Sequence, residues 1–196
     1  MKKTKYLTSM ALFLAIEIIL VVTPLGYIPI GPINATTMHI PVIVAGILLG
    51  KKAGAQLGFV FGLTSLIKAT IQPGITSFCF SPFITIGGIS GNYASILIAF
   101  IPRILLGYIA GLIYELIKDK KGVILGSLLG SLTNTVFVLS GIYLFFGNGY
   151  ASAVGVSYQA LIGVLLTVVT TNGIMEALLA VVITLAIYRT TKSIFK

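Results

Sequence analysis

Residues 94–117, ASILIAFIPRILLGYIAGLIYELI, run into Lys118-Asp119-Lys120-Lys121, and residues 123–146, VILGSLLGSLTNTVFVLSGIYLFF, follow at once. Each apolar run has the roughly 20 residues that a helix needs to cross a bilayer. Three lysines in a short break between two such runs read as a tight turn at one membrane surface. Working outward, apolar runs at about 6–24, 38–50, 53–71 and 159–188 repeat the pattern, the second of them short. The expected fold is therefore an all-α integral membrane protein of six transmembrane helices, with residues 1–196 forming a single membrane domain. Long outer loops rich in Gly, Pro, Ser and Thr are expected after the first, third and fifth spans, and short charged ones after the second and fourth.

Composition agrees. Of the 196 residues, 57% are hydrophobic and 9% charged, against about 25% charged in a soluble domain. One soluble core of this size cannot hide so much apolar surface, so lipid must take the rest. The net charge of +9 is not a nucleic-acid signature, because the cations sit at the ends of apolar runs rather than on one solvated face. Lys2, Lys3, Lys5, Lys51, Lys52, Lys118, Lys120, Lys121, Arg189, Lys192 and Lys196 all fall on one side of a six-span chain. By the positive-inside rule that side is the cytoplasm, with both termini there. A seventh span at Phe78–Ser90 would put the last two clusters outside. That stretch holds Pro82, Gly87 and Gly88 and reads instead as a folded outer loop or re-entrant segment. The basic start does not read as a signal peptide, since the apolar run reaches Val22 and contains Glu17. Cys79 is the only cysteine, so no intrachain disulfide is possible.

Small residues recur at i, i+4 spacing: Gly54, Gly58 and Gly62; Gly107 and Gly111; Gly122, Gly126 and Gly130. Such ridges let membrane helices approach closely. Ala11 and Ala15 repeat the spacing in the first span, and Glu17 lies roughly 140° around the helix from their midpoint. With Glu17 facing the bundle interior, the two alanines face outward and form a notch for a partner helix.

Ionisable and amide groups inside a membrane are costly and mark candidate sites. Arg103 cannot shed its proton and needs an anion: Glu17, Glu176 or a ligand carboxylate. Lys68, near the outer end of the third span, either snorkels to the interface or meets a ligand. Asn134 and Asn172 fall near the middle of the fifth and sixth spans, and Asn172 shares a face with Glu176. The two amides either bond each other or line a pocket, with Thr133, Thr135, Thr170 and Thr171 extending the polar belt. His39 is the only histidine and opens the second span. Glu115 is placed to meet Lys118 or solvent. Phe80, Tyr93, Tyr27, Tyr150 and other aromatics gather on the outer side, where they form an interfacial belt or close over a small organic ligand.

Gly46-Ile47-Leu48-Leu49-Gly50-Lys51-Lys52 falls short of a phosphate-binding loop in spacing and lacks the final Ser or Thr. One His and one Cys do not make a zinc site, no nucleophile–base–acid set is present, and no cofactor is expected. The chain binds or conducts something rather than transforming it. A self-contained channel or proton-coupled carrier using Glu17, His39 and Glu176 is one reading of these residues.

A family resemblance supplies another. The stretch Gly31-Pro32-Ile33-Asn34-Ala35-Thr36-Thr37-Met38-His39-Ile40-Pro41 resembles the loop-to-second-helix signature of the substrate-binding S components of energy-coupling factor (ECF) vitamin transporters. The resemblance continues through residues 58–66, Thr76–Phe83, Leu132-Thr133-Asn134-Thr135 and Asn172-Gly173-Ile174-Met175-Glu176-Ala177. The similarity covers nearly the whole chain and is strongest to the pantothenate-type branch; riboflavin, biotin, folate and pyridoxine-like vitamins use the same scaffold. The resemblance implies a high-affinity subunit that captures a vitamin from outside and joins a transmembrane T component carrying two cytoplasmic ATPases. It implies that Ala11 and Ala15 dock the T component, and that the loop at about Leu25–Thr37, with Gly31, Pro32, Asn34 and Thr36, is a gate. It places the ligand on the outer side, among Arg103, Asn134, Asn172 and Glu176, with His39, Lys68, Tyr93 and Phe80 as further candidates.

Overall fold

The computed structural model describes residues 3–30 and 33–195, with side chains for 3–27 and 36–191. Gly31 and Pro32 of the expected gate lie outside the described residues, as does the side chain of Asn34. The elements run α1 (Lys3–Val22), β1 (Tyr27–Ile30), β2 (Ile33–Thr36), α2 (His39–Leu49), α3 (Lys51–Ile71), a 3-10 turn (Ser77–Cys79), β3 (Thr85–Ile86), β4 (Ile89–Ser90), α4 (Tyr93–Ile117), α5 (Lys120–Ala153), α6 (Tyr158–Val168), a π turn (Val169–Gly173) and α7 (Ile174–Phe195). α1, α3, α4, α5 and the continuous helix Tyr158–Thr191 are long and apolar enough to cross a membrane. The 11-residue α2 stands where the short second span was expected; it is almost wholly buried within the bundle and too short to cross a bilayer by itself. The chain is an all-α, multi-pass membrane protein.

The two ends of the bundle are fixed by contacts. At one, Tyr6 donates to Gln56 (2.9 Å), Lys51 Nζ pairs with Glu115 Oε2 (2.9 Å), and Tyr114 donates to Tyr188 (3.0 Å). Glu115 thus meets Lys51 rather than Lys118, because the turn Gly50 brings the start of α3 against the end of α4. Asp119 caps α5 there, accepting from the Gly122 N–H at 2.9 Å. At the other end the two short hairpins close over the helices. Asn92 and Ser95 form a reciprocal capping box at the start of α4, and Ser95 Oγ donates to the Phe78 carbonyl at 2.7 Å. Phe78–Ser90 forms no helical seventh span: its first residues, Phe78, Cys79 and Ser81, are buried in the bundle end, and the rest folds as a loop and the short β3–β4 hairpin.

The fifth span corrects the expectation of a long loop after it. α5 continues as helix to Ala153, leaving only residues 154–157 before α6. Packing overrides the breakers Gly147 and Gly149: Phe146, Tyr150 and Ala151 are buried. A Cβ at Gly147 would stand 2.7 Å from the Tyr158 ring, and one at Gly149 would stand 2.8 Å from Ile89.

The glycine ridges are intramolecular. A Cβ on Gly54 would strike the carbonyl of Gly107, and one on Gly107 the carbonyl of Gly54. One on Gly58 would strike the carbonyl of Arg103, and one on Gly111 would stand 2.6 Å from that of Gly46. Backbone thus meets backbone across α2, α3 and α4, which sets Arg103 at a fixed depth. Gly126 and Gly130 do the same for α5, where a Cβ would stand 2.7 Å and 2.9 Å from the carbonyls of Ala110 and Leu106. α1 buries only Phe13 and Glu17. Ala11 and Ala15 are exposed on its opposite face.

Candidate functional site

Pro102 lies inside α4. Proline has no N–H, so the carbonyl four residues before it loses its helical donor. That carbonyl belongs to Ile98, and Arg103 Nη1 donates to it at 2.5 Å. The guanidinium carbon stands 5.5 Å from the Phe61 ring centre and 5.1 Å from that of Phe80. Arg103 is buried, and its Nε finds no hydrogen-bond partner within the protein. Among the described residues it forms no ion pair with Glu17 or Glu176.

This guanidinium lines a cavity of about 500 Å³ between α3, α5, the α6–α7 helix, the β1–β2 hairpin and the 3-10 turn. Asn134, on α5, has a buried Oδ1 without a partner, as does the Tyr150 hydroxyl. Asn172 and Gly173 face the cavity from the π turn. The widened turn is a common device where a long helix must present polar groups to a site. Gly173 is tight against Thr135, whose Cγ2 would lie 3.0 Å from an added Cβ. Lys68 Nζ donates to Gln72 Oε1 (3.3 Å) and stands 5.1 Å over the Tyr27 ring. Tyr27 Oη lies 3.4 Å from Ser65 Oγ. Glu176 Oε1 accepts from the Thr36 N–H at 2.6 Å. Among the described lining residues the charged groups are Arg103, Lys68 and Glu176, a surplus of one positive charge.

Six sequence-predicted residues therefore come together on one cavity: Arg103, Lys68, Asn134, Asn172, Glu176 and Phe80, with Thr36 of the expected gate beside them. Asn134 and Asn172 line it rather than bonding each other. Two predicted residues do not reach it. His39 is buried behind the wall, with Nε2 3.2 Å from the Glu176 carbonyl, because the start of α2 packs against α7. Tyr93, the first residue of α4, is 87% exposed, since a helix N-terminus at the bundle rim points its first side chain outward. Thr133, Thr170 and Thr171 face outward, their hydroxyls bonded to carbonyls of the preceding turn. Ser65 and Gln72 line the cavity and were missed. Gln72-Pro73-Gly74 at a span end was the one available signal for Gln72.

A helical membrane bundle around a half-enclosed cavity, largely apolar but carrying a few convergent charged and amide groups, suits the binding of a small organic solute. Residues 5–188 match the family described as "ECF transporter, substrate-specific component", and the chain belongs to that family, which is one of transport subunits rather than enzymes. It is 40% identical over 192 residues to the "Pantothenic acid transporter PanT" of Lactococcus lactis subsp. cremoris, covering 95% of this chain and 94% of that one. It is 34% identical over 199 residues to the "Pantothenate transporter PanT" of Leuconostoc mesenteroides, covering 94% of this chain and 91% of that one.

Proposed function

We propose that this S component binds pantothenate in the cavity at Arg103 and delivers it for import. The observation that carries the reading is the buried Arg103 guanidinium, with Nε unpartnered, in a cavity whose lining carries an excess positive charge. A carboxylate completes that arrangement, because guanidinium N–H groups recognise planar anions in a two-point geometry. Asn134, Asn172 and the Tyr150 hydroxyl then serve the hydroxyl and amide groups of the ligand, with Phe80 and Tyr27 against its apolar parts. The names of the two relatives point to the same vitamin.

In this reading the bundle end with Lys51, Lys118, Lys120, Lys121 and Arg189 is cytoplasmic, and so are both termini. The cavity opens to the outside, and the β1–β2 hairpin is its gate. Ala11 and Ala15 meet a T component, and ATP is hydrolysed by two ATPase subunits attached to it. The chain acts as one membrane domain.

Calorimetry on the purified chain, titrated with pantothenate, riboflavin, biotin, folate and pyridoxine, tests the assignment. Tight binding of pantothenate alone is the expected result. Tight binding of another vitamin, with none of pantothenate, overturns it.

A further inference from the structure

We infer that Pro102 is a positioning residue for ligand recognition, acting through Arg103. An unpaired carbonyl within a membrane span is expensive, so it must find another donor. The freed Ile98 carbonyl finds Arg103 Nη1. With Phe61 and Phe80 against the guanidinium, this bond fixes which edge of the group is consumed by the helix and which is left for a ligand. Nε is not engaged by that bond and has no other partner within the protein. The adjacency Pro102-Arg103 therefore sets a pre-oriented anion receptor: the proline creates the acceptor, and the next residue along the chain is held by it. Any residue other than proline at 102 restores a backbone N–H that competes for Ile98. Arg103 then loses its anchor and pays the cost of ordering on ligand binding.

Taking pantothenate as the ligand, as proposed above, Pro102→Ala separates recognition from folding. Alanine is the better helix former, so the thermal midpoint of the purified variant is expected to be unchanged or higher. Pantothenate affinity is expected to fall about tenfold, the order of a charge-assisted hydrogen bond. The uncharged alcohol pantothenol should lose less than about twofold, the carboxylate being the group that Arg103 addresses. In an Arg103→Ala background the same change should alter neither affinity. Pro102→Ser restores the same N–H and replaces the alanine variant if that one does not fold. Wild-type affinity retained by both variants overturns the inference while leaving the pantothenate assignment standing. So does an equal loss for acid and alcohol, or a further loss in the Arg103→Ala background. A wild type that binds no pantothenate overturns both.

Discussion

Thr36 and Glu176 are 140 residues apart and are joined by a 2.6 Å hydrogen bond from the Thr36 N–H to Glu176 Oε1. Thr36 pairs in register with Tyr27 at the base of the β1–β2 hairpin. Tyr27 is held on its other side by Ser65 and Lys68 of α3. Among the described residues, the hairpin is thus tied to α3 and α7 at this cross-strand pair, which lines the cavity. Glu176→Ala leaves a backbone N–H without its acceptor, at a cost of about 1–3 kcal/mol. Faster escape of bound pantothenate is expected, measured as the dissociation of labelled ligand after a chase. Glu176→Gln keeps an acceptor and should stay near wild type. Equal damage from both variants would mean that the charge of Glu176, rather than its bond to Thr36, is what matters.

Arg103→Ala removes the anion's partner. Truncating one side of a desolvated, hydrogen-bonded charge pair costs ~2–5 kcal/mol, or roughly 30- to 4,000-fold in affinity. Calorimetry with pantothenate should show at least the lower figure, and pantothenol should lose much less. Equal losses would assign Arg103 to the fold alone, as the cap of the Ile98 carbonyl.

Ala11→Trp or Ala15→Trp places a large ring on the exposed face of α1. Close helix approach needs small residues, so uptake by cells carrying the whole transporter should collapse while purified protein still binds ligand. Normal uptake would mean that the two alanines meet only lipid.

Lys120→Cys and Asn148→Cys stand at opposite ends of α5, and both positions are exposed. An impermeant thiol reagent on intact cells should label the second and spare the first, once the buried Cys79 is accounted for. Outside labelling at position 120 would reverse the orientation or break the six-span topology.

Much of this architecture was legible in the chain because lipid imposes simple rules. Apolar run length located the long helices. The spacing of Gly54, Gly58 and Gly62 announced close helix contact, although which helix lay opposite depended on tertiary packing. The cavity lining was legible through cost: Arg103, Asn134, Asn172 and Glu176 are expensive inside a membrane, and the fold brings all four to one cavity. Pattern failed where local propensity and packing disagree. Gly147 and Gly149 read as loop, yet they lie in helix because Tyr158 and Ile89 press against them. The π turn at Val169–Gly173 has no periodic signature, since one widened turn barely shifts an apolar pattern. Tyr93 was grouped with the site by type, but a side chain at the first position of a helix takes its direction from the rim.

The contacts of Gly46, Gly54, Gly107 and Gly111 leave no side-chain layer between the helices they join. Interdigitated side chains can switch rotamers and let helices slide, whereas peptide planes in direct contact have no alternative packing to move into. α2, α3 and α4 accordingly form a keel. Under the proposed function, admitting a solute falls to the hairpin and the α6–α7 wall, and any reorientation against the lipid would carry the keel, and Arg103 with it, as one piece.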